Sequence, residues 1–183
     1  MITLKVTMKL RFVLVAVTSL MLVACTSVPE GVQPVTDFDV QKYSGTWYEI
    51  ARFDHRFERG LNNVTATYTL REDGGVTVLN RGYNTEEQEW EQADGKAYFV
   101  AKPTTGHLKV SFFGPFYASY VVIALDQENY QYSLVTGPDR EYLWLLARQP
   151  NVPQQTLDGL LKFAQQNGYD TEQFIWVEHN QER

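Results

Sequence analysis

The histidines and the acidic side chains are the groups in this sequence that could support catalysis or hold a metal ion. The histidines lie far apart in the chain and lack the short spacing of metal ligands: His55, His107 and His179. The acidic run Glu86-Glu87 with Glu89 is more typical of a solvated hairpin end than of an acid/base pair. The sequence contains neither a Gly-x-Ser-x-Gly elbow nor a Gly-x-Gly-x-x-Gly loop. We therefore expect no enzyme activity, no metal and no cofactor.

Cys25 is the only cysteine, and it follows a segment typical of a secretory signal. A basic stretch from Lys5 to Arg11 precedes an apolar run over 12–23. That run is shorter than the roughly 20 helical residues that cross a bilayer. The string Leu22-Val23-Ala24-Cys25 resembles the lipobox of bacterial lipoproteins, in which the cysteine becomes the first residue and carries acyl chains. The alternative is a chance cysteine beside an ordinary cleavage site.

The resemblance to a lipobox implies a lipid anchor on Cys25. One acyl chain binds a membrane only marginally, so stable anchoring takes two or more. Thr26 stands where an aspartate would resemble an inner-membrane retention signal, which favours the outer membrane. We expect a signal peptide over 1–24, a flexible tether rich in turn-forming residues over 25–37, and one domain over 38–183.

Charge and cysteine content narrow the choice of partners. The net charge is −6, and removing a leader with three positive charges and no acid brings it to −9. Because nucleic-acid binding depends on neutralising phosphates with Lys and Arg, we expect no nucleic-acid partner. If the only cysteine is acylated, no disulfide can form and the core alone must stabilise the domain.

Alternating apolar residues and regularly spaced turns predict an all-β domain. Residues 64–70 alternate with period two, and Asp73-Gly74-Gly75 is typical of a hairpin turn. Counting 46–54 as the first, about eight strands follow one another up to Arg148, as in a barrel or a sandwich.

The periodicity changes after the eighth strand. Leu157, Leu160, Leu161 and Ala164 fall on one face of a helix, which Pro153 can begin and Gly168 can end. A last short strand is predicted over 174–177.

Three short motifs resemble those of the lipocalins. Gly45-Thr46-Trp47-Tyr48 is similar to the G-x-W motif that opens the first lipocalin strand. The string from Asp126 to Tyr130 is similar to the second motif, with Leu125 in place of its usual threonine, and Arg148 matches the third. The chain is most similar to the bacterial outer-membrane lipocalins related to apolipoprotein D. This resemblance implies an eight-stranded antiparallel up-and-down β-barrel with one C-terminal α-helix packed outside and a short final strand.

The motif residues are expected to close one end of such a barrel. The start of the first strand and the end of the eighth share a rim, so Trp47 and Arg148 can meet there. A guanidinium over an indole contributes about 1–2 kcal/mol when it is desolvated. Gly45, Asp126 and Tyr130 belong to the same end. The alternative is that Trp47 is an ordinary core aromatic and Arg148 a surface charge.

An eight-stranded barrel is either filled by its own side chains or holds one small ligand. If Trp47 and Arg148 point inward, strict alternation predicts the inward positions of the first and eighth strands. On the other strands alternation alone does not choose a face, and the more apolar set is expected to point inward. The residues predicted to contact a ligand are Phe53, Tyr68, Phe99, Phe112, Tyr120, Tyr142 and Trp144. Packing in a filled core is the alternative for each of them.

Basic residues near the opposite rim indicate where a ligand head group would bind. Arg56, Arg59 and Arg140 fall on loops predicted at the mouth of the barrel, in a chain that is otherwise acidic. Since arginine pairs with carboxylates and phosphates through a bidentate fork, we expect an anionic head group there and an acyl chain inside. A solvated, charged loop is the alternative. The family resemblance likewise implies a fatty acid or a lysophospholipid.

The predicted mouth loop over 112–117 is unusually aromatic, with three phenylalanines and one tyrosine. It either faces the membrane, associates with a second copy in a homodimer, or folds back onto the barrel.

Taken together, the sequence predicts a protein that binds, stores or transports a lipid-like ligand at the outer membrane. The first alternative is a structural, envelope-stress lipoprotein with a filled barrel that acts through its surface. The second is a lysophospholipid hydrolase.

Overall fold

The structure is a computed structural model that describes residues 26–180, so Cys25 and the predicted signal peptide lie outside the described residues. Nine strands occur in this range: β1 Gly45–Arg52, β2 Leu61–Leu70, β3 Val76–Asn84, β4 Glu89–Phe99, β5 His107–Ser111, β6 Ala118–Leu125, β7 Tyr132–Thr136, β8 Leu143–Ala147 and β9 Ile175–Trp176. Two α-helices and a 3-10 helix accompany them: α1 Val40–Tyr43, α2 Gln154–Gln166 and the 3-10 helix Thr171–Gln173.

The first eight strands form a closed antiparallel barrel, which confirms the predicted fold. Each strand pairs with the next in the chain, and β1 also pairs with β8, so the sheet closes on itself. Each of these eight strands therefore has a hydrogen-bonded partner strand on both sides, so the barrel itself has no edge strand open to another chain. The short β9 continues the pairing of β1 on the outside of the barrel, where it faces Ala51 and Arg52.

Alternating strand directions give the barrel two different ends. The start of β1, the β6–β7 loop and the end of β8 meet at one end, which we call the closed end. At the opposite end, the mouth, lie the loops over 53–60, 85–88, 112–117 and 137–142. The mouth loops therefore come from the four hairpins whose first strand runs away from the closed end.

A β-bulge in β1 reverses the alternation from which the inward residues were predicted. The pairing with β8 shifts between Glu49 and Ala51, so two residues of β1 occupy one position of the ladder. Before the bulge, Trp47 lies in the inner core and Glu49 lines the interior. After it, Ala51 and Phe53 lie in the core outside the sheet. The prediction that Phe53 lines the cavity is therefore wrong.

The helix α2 packs on the outside of the barrel, as predicted. Its apolar face joins an outer core that includes Ala51 and Phe53, whereas the inner core lies within the barrel. Pro153 immediately precedes the helix, and Gly168 follows it with a φ of 83°, a left-handed conformation that glycine adopts readily. Within residues 26–180 no helix has the length and apolar character needed to cross a membrane.

The segment before the barrel is held against it, which differs from the flexible tether predicted over 25–37. Val32 is buried in the outer core. The N–H of Val35 donates to the carbonyl of Val122, and its carbonyl accepts from the N–H of Gly106, both at 2.9 Å. Turn-forming residues here bend the chain along the barrel wall, and backbone hydrogen bonds fix it there.

The short helix α1 was not predicted from the sequence, and it covers the closed end. The carboxylate of Asp39 accepts hydrogen bonds from the N–H groups of Gln41 and Lys42, a typical N-cap. Tyr43, at the end of the helix, is buried, with its ring centroid 4.8 Å from that of Trp47. The helix therefore supplies an aromatic side chain to the barrel interior.

Candidate functional site

The closed end is organised around the guanidinium of Arg148. Its centre lies 4.0 Å from the ring centroid of Trp47, which is completely buried. The guanidinium donates to the carbonyl oxygens of Tyr130, Thr46, Lys42, Tyr43 and Ser44 at 2.7–3.2 Å. These carbonyls come from the start of β1, the end of α1 and the β6–β7 loop. Arg148 therefore ties three segments together beneath the barrel.

The remaining motif residues shape the backbone at the same end. Gly45 has a φ of 97°, and a β-carbon added there would lie 3.3 Å from Nη1 of Arg148. The carboxylate of Asp126 accepts from the N–H groups of Asn129 and Gln131 and so holds the β6–β7 turn. Tyr130 has a φ of 54°, and its hydroxyl accepts a hydrogen bond from the N–H of Asp39 at 3.0 Å.

Trp47 and Arg148 form a plug at the closed end. Above this plug the barrel encloses a cavity of about 600 Å³, so its interior is not filled by side chains. The volume lies within the range of roughly 300–1,000 Å³ found for small-molecule sites. Five of the predicted ligand-contacting residues line it: Tyr68, Phe112, Tyr120, Tyr142 and Trp144. The other lining side chains are mainly aliphatic or aromatic, among them Val76, Val78, Leu108 and Val110. The cavity therefore suits an apolar ligand.

Phe99 does not line the cavity either, so its predicted contact with a ligand is wrong, as it is for Phe53. It packs against the inner core near the closed end, where its ring centroid lies 6.2 Å from that of Phe38. Phe38 comes from the segment before α1 and lines the cavity itself. Phe99 was predicted to point inward because it belongs to the more apolar face of its strand, but this pattern could not show that Phe38 lines the cavity instead.

None of the three arginines predicted to bind a head group lines the cavity. Arg140 lies over the ring of Tyr169 in the outer core and donates to the carbonyls of Asn167 and Glu30, at 2.9 and 2.7 Å, so its predicted role is wrong. Arg59 forms a bidentate, solvent-exposed pair with Asp54. The guanidinium of Arg56 stays on the mouth loop, 5.0 Å from the ring centroid of Phe57.

A group of ionisable side chains on the cavity wall was missed by the sequence analysis. Nη1 of Arg52 donates to Oε1 of Glu49 at 2.8 Å, and both side chains are buried. Nε2 of His55 lies 2.9 Å from Oε2 of Glu58, to which the indole N–H of Trp144 also donates. The signal was available, because Glu49 stands two residues after Trp47, an inward position by alternation.

The two carboxyl groups of this wall cluster, defined as Glu49, Arg52, His55, Glu58 and Trp144, differ in pKa. Desolvation by burial and the neighbouring Glu58 raise the pKa of Glu49 well above its usual value. Burial also acts to raise the pKa of Glu58, but its hydrogen bonds to His55 and Trp144 outweigh this and lower it. The wall therefore carries one carboxyl group, that of Glu58, that ionises more readily than usual, and one, that of Glu49, that ionises less readily.

Three phenylalanine side chains surround the mouth. Phe57, Phe113 and Phe116 all border the cavity, and they are 60%, 73% and 79% exposed. Such exposure is unusual for phenylalanine and marks this rim as apolar. Among residues 26–180 no group of His, Cys, Asp and Glu side chains has the arrangement of a metal site.

A closed eight-stranded barrel with an apolar cavity, a plugged end and an outer helix defines a class of small-ligand-binding β-barrels. The chain belongs to the lipocalin family, because the lipocalin-like domain matches residues 38–179. Insecticyanin from Manduca sexta has a similar fold, with a TM-score of 0.69 and 23% sequence identity over 84% of this chain and 87% of its own. These comparisons confirm the family predicted from the three motifs.

Close sequence relatives are named outer membrane lipoproteins. The "Outer membrane lipoprotein Blc" of Vibrio cholerae is 53% identical over 169 residues, 92% of this chain and 99% of that protein. The protein of the same name from Escherichia coli K12 is 54% identical over 171 residues, 92% of this chain and 96% of that protein. Apolipoprotein D of Mus musculus is 36% identical over 143 residues, 74% of each chain. The outer-membrane location predicted from the sequence is thereby confirmed.

Proposed function

We propose that this lipocalin binds a lipid with a single acyl chain, a fatty acid or a lysophospholipid, in its barrel cavity at the outer membrane. The observation that carries the proposal is the apolar cavity of about 600 Å³ above the Trp47–Arg148 plug. Burying about fourteen methylenes provides a gross gain of about 11 kcal/mol. Loss of translational freedom and ordering of the chain remove much of this gain, which leaves a micromolar to submicromolar affinity.

The wall cluster favours a head group that stays at the mouth. An anionic head group inside the cavity would meet the ionised Glu58 at close range, which is unfavourable in a low-dielectric interior. At the rim it would meet Arg56, whose guanidinium has no acidic partner within residues 26–180. We therefore propose an acyl chain pointing inward and a carboxylate or phosphate near Arg56.

The proposed lipid anchor on Cys25 would hold the mouth toward the membrane. The hydroxyl of Ser27 donates to the carbonyl of Pro138 in a mouth loop, at 3.3 Å. Two residues of chain span at most about 7 Å, so an acylated Cys25 would emerge close to the mouth. Because Phe57, Phe113 and Phe116 also lie at this rim, lipid would exchange between the bilayer and the cavity directly.

The filled-barrel alternative loses its basis, because the interior contains a cavity rather than packed side chains. A surface role that does not involve a ligand would still leave the cavity empty in the purified protein. Mass spectrometry of lipids extracted from the purified protein distinguishes the two functions. We expect a reproducible acyl species, and its absence together with no binding of added fatty acid would contradict the proposal.

A matched pair of variants on β4 tests whether the cavity is the binding site. Ala93 lines the cavity, whereas its neighbour Asp94 is exposed on the other face of the strand. Ala93→Phe should fill part of the cavity and weaken binding of a fluorescent fatty acid by about tenfold or more, and Asp94→Phe should leave the affinity unchanged. Equal affinities in two variants that melt like the parent would show that the ligand binds elsewhere.

A further inference from the structure

Three tyrosine hydroxyl groups meet inside the cavity and form what we call the tyrosine floor, defined as Tyr43, Tyr68 and Tyr120. The hydroxyl of Tyr120 lies 2.8 Å from that of Tyr43 and 2.8 Å from that of Tyr68. The hydroxyl of Tyr43 also lies 3.4 Å from Oγ of Ser133. All three tyrosines line the cavity, and Tyr120 keeps part of its surface accessible.

The tyrosine floor lies at the inner end of the cavity. The ring of Tyr43 packs on Trp47, which the Arg148 guanidinium covers from the closed end. Tyr68 stands opposite Gly45, the first residue of β1, and its ring centroid is 5.4 Å from that of Tyr43. A ligand that enters tail first therefore passes the aliphatic side walls before its far end reaches these hydroxyl groups.

The contacts among the floor tyrosines and Ser133 use one hydrogen fewer than these four hydroxyl groups carry. Each hydroxyl group carries one hydrogen and can also accept. Tyr43, Tyr68, Tyr120 and Ser133 together carry four hydroxyl hydrogens but share only three contacts. Whichever way the chain of bonds runs, one hydrogen has no acceptor among residues 26–180, and several lone pairs stay free. An apolar ligand tail leaves that capacity unused.

The surroundings select a neutral group for this position. Burial raises the pKa of Tyr43 to about 12, and it raises the pKa values of Tyr68 and Tyr120 well above normal, so all three remain hydroxyls. Arg148, whose charge acts on Tyr43 from the closed end, already donates to five backbone carbonyls. An anion would thus lack a counter-charge, whereas a hydroxyl or carbonyl oxygen needs only the unused hydrogen bond.

We propose that the tyrosine floor is a subsite for an oxygen atom at the buried end of the ligand, so that the cavity accepts acyl chains carrying a hydroxyl or carbonyl group far from the head. This inference rests on the proposed function and specifies its ligand class. A polar atom that reaches the inner end of an apolar cavity is normally rejected, because it loses its hydrogen bonds to water. Here the floor replaces them.

The test is a competition experiment on the purified, delipidated full chain with a fluorescent fatty acid as the probe. The competitors are tetradecanoic and hexadecanoic acids, their ω-hydroxy derivatives, and 2-hydroxyhexadecanoic acid as a control with its hydroxyl beside the head. We expect one of the ω-hydroxy acids to bind at least as tightly as its parent acid. An ω-hydroxyl group that weakens binding about tenfold or more at both chain lengths would overturn the proposal.

Tyr→Phe variants, which remove a single oxygen atom, assign the effect to the floor. Tyr120→Phe and Tyr68→Phe should weaken binding of the preferred ω-hydroxy acid about tenfold, which corresponds to about 1.4 kcal/mol, relative to its parent acid. Tyr142→Phe removes the same atom from a cavity tyrosine at the mouth and should leave that ratio unchanged. An unchanged ratio in both floor variants would also overturn the proposal.

The outcomes separate this inference from the function on which it rests. If neither parent acid displaces the probe, acyl binding in the cavity fails. If the parent acids bind and the hydroxyl position makes no difference in any variant, only the floor subsite fails. Thermal melts show whether each variant is folded, and Ser133→Ala provides a further change in the same network if a tyrosine variant does not fold.

Discussion

At the scale of single residues, Arg148 shows how one side chain can define an end of the barrel. The N–H groups of its guanidinium form a planar fork that donates to carbonyls from α1, β1 and the β6–β7 loop, while the flat face of the guanidinium covers the indole of Trp47. A lysine carries the same charge but has neither the planar fork nor the number of donors. The geometry of the guanidinium, rather than its charge, is therefore what closes the barrel.

Arg148→Lys should destabilise the protein by about 2–3 kcal/mol, because buried carbonyls lose their donors. Arg81→Lys is a matched control, since its guanidinium also lies 4.0 Å from an indole centroid, that of Trp90 on the outer face, but has no carbonyl partner within residues 26–180. That control should change the free energy of unfolding by less than about 0.5 kcal/mol. Urea unfolding measures both, and equal losses would contradict the role assigned to the fork.

The wall cluster makes a pH-dependent contribution whose sign follows from Glu49. Its folded-state pKa is raised above the reference value of 4.5, so folding favours the protonated form. That stabilisation is complete below pH 4.5 and is lost as the pH rises through the raised pKa. The glutamine of Glu49→Gln imitates the protonated carboxyl group at every pH.

Glu49→Gln should therefore gain stability relative to the parent protein as the pH rises from about 4.5 toward 8, by at most about 1.4 kcal/mol per pH unit. Glu58→Gln should show its effect at lower pH, because the lowered pKa of Glu58 stabilises the fold fully above pH 4.5 and that contribution is lost only as the pH falls below 4.5. The deficit of this variant relative to the parent should therefore be constant from pH 4.5 upward and shrink at more acidic pH. Urea unfolding from the acidic range up to about pH 8 measures the differences. Parallel curves for all three proteins would show that neither pKa is shifted.

At the scale of the elements, register shifts in β1, β2 and β6 decide which side chains reach the cavity. The bulge in β1 moves Phe53 to the outer core, and the register shift in β6, between Val122 and Ala124, places Ala124 there as well. Strands without such a shift follow simple alternation, as in β8, where Trp144 and Leu146 line the cavity. A single extra residue therefore exchanges the two faces of a strand.

The helix α2 contains a glycine that its structure does not require. Gly159 is exposed in the middle of the helix, and a β-carbon added there would have no atom within 4 Å. Gly159→Ala should stabilise the protein by about 0.5–1 kcal/mol, because alanine loses less backbone entropy in a helix. Gly168→Ala, just after the same helix, should destabilise it, because its φ is 83° and the new β-carbon would lie 3.1 Å from Nε of Arg140. Thermal melts that shift in the same direction for both variants would contradict this assignment.

At the scale of the whole molecule, the described chain begins at the mouth, on the same side as the exposed phenylalanines. Ser27 touches a mouth loop, the following residues run along the barrel wall, and Phe38 reaches the interior near the closed end. An anchor at Cys25 and an apolar rim would thus act on the same surface. This arrangement favours a mouth that faces the bilayer.

A chain that starts at Thr26, without any lipid anchor, should still bind anionic or zwitterionic vesicles weakly through the mouth. Phe113→Ser with Phe116→Ser should reduce that binding at least about fivefold, since burying the apolar surface of each ring in the bilayer contributes well over 1 kcal/mol of binding free energy. Leu70→Ser with Val100→Ser removes exposed apolar residues from the opposite end and should leave binding unchanged. Vesicle flotation measures binding.

The same variants also show whether the aromatic rim binds a membrane or forms a homodimer. Sedimentation of the Thr26 chain without vesicles reports its association state. A parent protein that dimerises, and a Phe113→Ser/Phe116→Ser protein that is monomeric, would assign the rim to self-association. A monomeric parent that floats with vesicles would assign it to the bilayer.

The sequence by itself determined the features that depend on local pattern and order along the chain. Alternation and turns predicted the strands, the 3.6-residue period predicted α2, and the three motifs predicted the barrel and the meeting of Trp47 with Arg148. These signals are local because each reports which face of one element is apolar, or which residues stand at strand ends.

Only the tertiary structure decided which side chains line the cavity. The bulges depend on how neighbouring strands pair, so they moved Phe53 outward without any sign in the local pattern. Arg140 is long and flexible, and its direction was set by carbonyls of the N-terminal segment and of the end of α2, which are more than twenty residues away in the chain. The tyrosine floor likewise joins α1, β2 and β6. Hydrogen bonds between distant segments form only once the barrel has closed. The pattern of a single strand or helix therefore could not predict them.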